Sequence, residues 1–169
     1  MPSFFCAAAL LINILASLML QAPALATDTE KHAYLQVKNA EGTIVFSMIV
    51  NNAYRFGIRF VHSVAQSPVE EWFSVENGTI FLEKTVYHDF GAGLPHEPGP
   101  GQKMTCSDGH LSIEGYHREL RSFDVRVGRI AHHTLLLPTF DNVAAIPLTC
   151  LASPGKPLTF TVSTTAPKQ

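Results

Sequence analysis

The sequence lacks the residue patterns that mark several functional classes. Charged residues make up 15% of the 169 residues and the net charge is −2, so no basic surface for nucleic acid is predicted. The three cysteines form no Cys-x-x-Cys pair, which argues against a thioredoxin-like redox motif or a zinc knuckle. No His-x-x-x-His pair, Gly-x-Ser-x-Gly elbow or phosphate-binding loop is present. We therefore predict no catalytic residue, no metal and no cofactor.

Long apolar runs are also absent, apart from one at the N-terminus. Residues 6–20 are almost entirely apolar, and Ala24-Leu25-Ala26 follows shortly afterwards, which is the small-residue pattern of a signal peptidase site. We predict a signal peptide over residues 1–26, cleaved after Ala26, and a single periplasmic domain over residues 27–169. No Lys or Arg precedes the run, so an uncleaved N-terminal anchor is the alternative.

Two cysteines, Cys106 and Cys150, would remain after cleavage. An even number of cysteines in an oxidising compartment favours a disulfide between them, which would close a loop of roughly 45 residues. The alternative is a pair of unbonded, buried thiols.

The rest of the chain alternates between apolar and polar residues. Tyr54, Phe56, Ile58, Phe60, His62 and Val64 share one predicted strand face, while Arg55, Arg59 and Ser63 share the other. Asn77-Gly78 predicts a tight hairpin turn, because these residues tolerate positive φ. The pattern predicts an all-β fold, a small antiparallel β-sandwich or partly open barrel of about nine short strands.

Candidate binding residues fall in two segments. The first segment contains His62, Ser63, Pro68, Glu70, Glu71, Trp72 and Phe73, and the second contains Phe90, Gly91, Gly93 and Pro95.

The alternation in the first segment predicts that His62 points toward the core. A buried imidazole needs a hydrogen-bond partner for each ring nitrogen, and Glu70 or Glu71 could supply one. This pair is either structural or part of a ligand site, and a metal site is the remaining alternative. Glu70 and Glu71 are adjacent on a strand and therefore face opposite sides, which argues against a paired-carboxylate enzyme. Either Trp72 or Phe73 is expected in the core and the other in a groove. In the second segment, the glycines form either an anion-binding nest or a structural corner.

The motifs His-Ser-Val-x-x-x-Pro-Val-Glu-Glu-Trp-Phe and Phe-Gly-Ala-Gly-Leu-Pro together resemble the bacterial domain-of-unknown-function family 1850. The resemblance covers roughly residues 44–162, and the Pro-rich extension after Pro95 departs from the family pattern. It implies a small exported protein whose gene often lies beside those of TAXI-type tripartite ATP-independent periplasmic transporters. The implied partners are the solute-binding protein, the membrane permease or a small organic acid, and no reaction is implied.

These observations together predict an exported, non-enzymatic accessory protein that assists such a transporter by binding a partner or a solute. Two alternatives remain open. One is a small metal- or histidine-dependent enzyme, and the other is a structural or carbohydrate-binding β-sandwich.

Overall fold

The computed structural model describes residues 32–87 and 97–166. These residues form eleven strands and one short 3-10 helix, Leu148–Cys150, which follows the tenth strand. The strands are β1 (Ala33–Lys38), β2 (Ile44–Val50), β3 (Arg55–Val61), β4 (Pro68–Glu76), β5 (Thr79–Tyr87), β6 (Lys103–Ser107), β7 (His110–Leu120), β8 (Ser122–Arg126), β9 (Thr134–Pro138), β10 (Val143–Pro147) and β11 (Pro157–Ser163).

The strands form two antiparallel sheets. The smaller sheet has the order β2-β1-β11-β8, and the larger has the order β10-β9-β3-β4-β5-β7-β6. The all-β, sandwich-like prediction is confirmed, and the sheets do not close into a barrel. The described residues contain more strands than the nine predicted, partly because β10 has no recognisable alternation in its sequence.

The hairpin between β4 and β5 confirms the Asn-Gly prediction. Glu76 pairs with Thr79 across a two-residue turn. Asn77 has φ of 50° and Gly78 has φ of 79°, the left-handed conformation that such turns need. The Asn77 N–H also donates to Asn52 Oδ1 (2.8 Å), which holds the turn against the chain that precedes β3.

A stack of four phenylalanines joins the two sheets. Phe56 and Phe73 come from the larger sheet, and Phe123 and Phe160 come from the smaller sheet. Ring centroids are 5.2 Å apart for Phe56 and Phe73, 4.5 Å for Phe73 and Phe123, and 4.9 Å for Phe123 and Phe160. The main core lies around this stack and is otherwise built from aliphatic side chains of both sheets.

A second, smaller core lies on the larger sheet. Its buried members are Val69, Tyr87, Leu111 and Ile113, from β4, β5 and β7. Phe60, Met104 and Tyr116 pack against it. This part of the sheet carries the polar groups of the candidate site.

The predicted disulfide between Cys106 and Cys150 is wrong, since both thiols are unbonded and exposed. Cys106 lies on β6 and Cys150 follows β10, and these strands are the opposite edges of the larger sheet. Six interstrand steps of about 4.8 Å separate the edges of a flat seven-stranded sheet by about 29 Å. A disulfide requires Cα atoms within about 7 Å.

The predicted signal peptide, residues 1–26, lies outside the described residues. Within residues 32–87 and 97–166, no helix is both long and apolar enough to cross a membrane.

Candidate functional site

The chain between β3 and β4 forms a closed loop that begins at His62. The His62 N–H donates to the Ser67 carbonyl oxygen (2.9 Å), and the His62 carbonyl oxygen accepts from the Gln66 N–H (2.9 Å). The ring is also held, because its Nδ1 accepts from the Ala65 N–H (3.1 Å). A backbone N–H can only donate, so a neutral His62 ring carries its proton on Nε2. His62 is half-buried and keeps that N–H as its remaining donor.

The prediction that His62 belongs to a strand is wrong, because β3 ends one residue before it. The last ladder pair is Val61 and Pro68, and beyond it the His62 carbonyl oxygen accepts from the loop residue Gln66 instead of from Ser67. The predicted partners also lie elsewhere. Among the described residues, neither Glu70 nor Glu71 forms a hydrogen bond or ion pair with His62.

A second loop lies beside the first at the same end of the larger sheet. This loop, residues 127–133, connects β8 and β9, and its Ala131 carbonyl oxygen accepts from the Val61 N–H (2.7 Å). β5 also ends here, because Tyr87 pairs with the second residue of β4. We call the two loops, residues 62–67 and 127–133, the His62 end of the sheet.

His133, in the second loop, has the same hydrogen-bonding pattern as His62. Its Nδ1 accepts from the Gly128 N–H (3.1 Å), and its ring centroid lies 5.6 Å from that of Phe60. Burial lowers the pKa of His133, so the ring is neutral at pH 7 and its proton is on Nε2. The His62 end therefore holds two imidazoles whose orientation the backbone fixes.

Glu71 lies one row further into the sheet, on the inner face. The strand register places it between Ile58 on β3 and Thr85 on β5, and Thr85 pairs in turn with Ile113 on β7. The neighbouring inner row contains Tyr87. A carboxylate on a largely apolar face requires polar neighbours, and β5 and β7 supply them.

Burial and the neighbouring polar groups shift the pKa of the Glu71 carboxyl. Burial raises the pKa of the Glu71 carboxyl, and the Arg118 guanidinium partly offsets this by favouring the charged form. Burial also raises the pKa of the Tyr87 hydroxyl far above its ordinary value, and Tyr116 and Glu71 raise it further. Thr85 hydrogen-bonds with Tyr87 and acts in the opposite direction. We call these five residues, Glu71, Thr85, Tyr87, Tyr116 and Arg118, the Glu71 cluster.

Glu70 and Trp72 share one face of β4, as the alternation predicts, and the structure shows that this is the outer face. The Trp72 Nε1–H donates to Glu70 Oε2 (3.0 Å), and a methyl group at Gly57 would come within 3.2 Å of the indole ring. The tryptophan therefore packs flat against the backbone of β3. Arg55 and Arg59 are exposed on this same outer face.

The remaining candidate residues are not brought together. Ser63 and Pro68 are exposed at the His62 end. Phe73 is 2% exposed and belongs to the core, which agrees with the expectation that one of the two aromatics is internal. The candidates Phe90, Gly91, Gly93 and Pro95 lie outside the described residues.

Residues 56–139 match the family model described as a domain of unknown function, DUF1850. The chain belongs to the DUF1850 family. The match runs from β3 to the loop after β9, so the DUF1850 segment contains both loops of the His62 end and all of the Glu71 cluster. Neither a curated protein nor a solved structure matches the chain.

Sequence reasoning missed most of the Glu71 cluster. It gave no role to Tyr87 or Tyr116. One signal was available for His133, since the pair His132-His133 stands directly before an apolar strand. No comparable pattern marked the tyrosines, because their proximity to Glu71 depends on the pairing of three strands.

We expect Glu71→Gln to stabilise the fold at neutral pH. Folding raises the pKa of this carboxyl, so the wild-type protein loses stability as the pH rises above the ordinary carboxyl value and the folded state must ionise. Below that value Glu71 is protonated in both the folded and unfolded states. Urea unfolding between pH 4 and pH 8 should therefore show a gain for Glu71→Gln at pH 7.5 that disappears at low pH.

Glu70→Gln is the matched control on the outer face. A glutamine oxygen can accept the same hydrogen bond from Trp72, so we expect no comparable gain at neutral pH. If Glu71→Gln were less stable than wild type at pH 7.5 and equal to it at low pH, attraction to Arg118 would outweigh the cost of burial.

Proposed function

We propose that the protein is an exported, non-enzymatic accessory protein that assists a TAXI-type tripartite transporter by binding a partner or a solute at the His62 end. One observation carries the proposal. His62 and His133 lie in adjacent loops, and a backbone N–H fixes Nδ1 in each ring. Each ring in its neutral form is left with one oriented Nε2–H donor, and preorganised donors lower the entropic penalty of binding.

The polar groups near this end favour an acceptor-rich ligand. The two imidazoles offer N–H groups, and the Arg118 guanidinium lies close enough to Glu71 to favour the charged form of that carboxyl. A carboxylate presents acceptor oxygens that pair well with such donors. A small organic acid, or a carboxylate on a partner protein, is therefore the ligand chemistry that we propose.

Exposed apolar side chains at the same end support contact with a partner protein. Val64, in the first loop, is 65% exposed, and Ile130, in the second, is 74% exposed. Adjacent loops that carry apolar residues beside polar groups are a common composition for a protein interface.

The carbohydrate-binding alternative receives less support from the structure. Trp72 is the only tryptophan in the chain, and its ring packs over Gly57. That face of the indole is therefore not free to stack on a sugar.

Site-specific photo-cross-linking in the native cell envelope tests the proposal. A photoreactive phenylalanine analogue replaces Val64 at the His62 end, and mass spectrometry identifies the adduct. We expect the solute-binding protein or the permease of the transporter, and we expect His62→Ala to lower the yield severalfold.

The matched control places the same analogue at Phe140. This side chain is fully exposed, but it lies between β9 and β10, at the opposite end of the larger sheet. No transporter adduct is expected from Phe140. Equal adducts from both positions, or none from Val64, would contradict the proposed binding end. Thermal-shift measurements with small dicarboxylic acids then test whether the solute itself binds.

A further inference from the structure

We propose a second site, on the outer face of the larger sheet, where Glu76, Glu83 and His117 bind one divalent transition-metal ion. One potential ligand atom from each of the three residues lies within 4.8 Å of the others. The residues come from β4, β5 and β7, three adjacent strands of the sheet. The inference is independent of the proposed function, because none of its three ligands belongs to the His62 end.

Irregular pairing brings these side chains together. On β5 and β7, Lys84 pairs with Glu114 and Leu82 pairs with Arg118. Glu83 is therefore the single residue of β5 that lies opposite the three unpaired residues 115–117 of β7. The register between β4 and β5 also shifts at Glu83. A bulge of this kind redirects a side chain, and here the extra residues place His117 opposite Glu83.

The bulge imposes an uncommon backbone conformation on the proposed ligand. His117 has φ of 38°, and positive φ is uncommon for residues other than glycine. Its ring is held from two sides. Phe81 stacks on it with ring centroids 4.5 Å apart, and Nδ1 lies 2.9 Å from Glu83 Oε1.

Ser74 orients the carboxylates. Its Oγ lies 2.8 Å from Glu83 Oε1 and 3.3 Å from Glu76 Oε1. A hydroxyl carries a single proton, so Ser74 donates to one carboxylate at a time. Two carboxylates and one imidazole therefore converge on one hydroxyl, and this is a donor set that a divalent cation can bind.

The ligand chemistry selects the class of metal. A mixed set of imidazole and carboxylate suits Zn²⁺, Co²⁺, Mn²⁺ or Fe²⁺, whereas Ca²⁺ and Mg²⁺ favour sets made only of oxygen atoms. Three protein ligands leave one tetrahedral position for water. The side chain of His117 is 59% exposed and that of Glu83 is 22% exposed, so an ion can enter from solvent.

Co²⁺ titration of the purified protein, after treatment with a chelator, tests the inference. We expect binding of one equivalent, a visible spectrum without thiolate charge-transfer bands, and a melting temperature that rises with Co²⁺. His117→Asn removes the imidazole and keeps a residue that tolerates positive φ. We expect this variant and Glu83→Gln each to bind Co²⁺ at least tenfold more weakly.

His132→Asn is the matched control, because His132 also has positive φ (48°) and is exposed. It should bind Co²⁺ as the wild type does, and circular dichroism should show that every variant is folded. The inference fails if the wild type takes up no saturating equivalent, if uptake is unchanged in His117→Asn and Glu83→Gln, or if thiolate bands assign the ion to a cysteine. None of these outcomes affects the cross-linking at Val64.

Discussion

Phe73→Ala is expected to lower the free energy of unfolding by about 3–5 kcal/mol. The side chain is 2% exposed, and its ring stacks on Phe56 of its own sheet and on Phe123 of the facing sheet. Alanine would leave a cavity where the two sheets meet, and both neighbouring rings would lose contacts. For a domain of this size the melting temperature should fall by roughly 10 °C, which urea and thermal unfolding followed by circular dichroism would measure.

Phe140→Ala is the control for this prediction. It makes the same chemical change at a fully exposed position, so we expect a change within about 0.5 kcal/mol. Similar losses for both variants would show that the phenylalanine stack does not hold the sheets together.

Gly115→Ala is expected to destabilise the fold by two mechanisms. Gly115 has φ of +84°, and a Cβ there would lie 2.9 Å from the Gly101 carbonyl oxygen. The left-handed conformation costs an alanine about 1–2 kcal/mol, and forcing the two backbone segments apart adds ~1–3 kcal/mol. Equilibrium unfolding in urea measures the sum.

Gly109→Ala separates the two mechanisms. Gly109 has a similar φ of +78°, but a Cβ there would meet nothing within 4 Å. This variant should show only the conformational cost. Equal losses at Gly109 and Gly115 would mean that the segment around Gly101 moves aside without penalty.

Local patterns predicted most of the fold. The alternation around Phe56 and Ile58 located a central strand, and Asn77-Gly78 fixed the hairpin that follows it, because both signals act over a few residues. β10 was missed, since Val143, Ala144 and Ala145 are all exposed and therefore show no apolar alternation. Its strand conformation comes from pairing with β9.

The candidate site depends on pairing that local patterns do not contain. If β4 and β5 paired regularly from the Asn77-Gly78 turn, Glu71 would lie opposite Lys84. The two side chains would then form an ion pair on the inner face. The bulge shifts the register by one residue, so Thr85 lies opposite Glu71 and Lys84 forms an ion pair with Glu114 (2.7 Å). A one-residue shift moves each side chain to the other face, and for this reason the Glu71 cluster was not predicted.

The cysteine prediction failed for a related reason. The number of cysteines and their compartment allow a bridge, but the bridge depends on where Cys106 and Cys150 lie in the sheet. Their positions in the sheet follow from the order of its seven strands. The number of residues between two cysteines does not reveal whether their Cα atoms lie close enough for a bridge.

The position of the single tryptophan gives the molecule an internal optical reporter. The Trp72 indole packs on the backbone of β3 and donates its N–H to Glu70, so all of the native indole fluorescence arises from the middle of the larger sheet. Separation of β3 from β4 would expose the ring to water and shift its emission to longer wavelength. Opening of this strand pair is therefore observable without any added label.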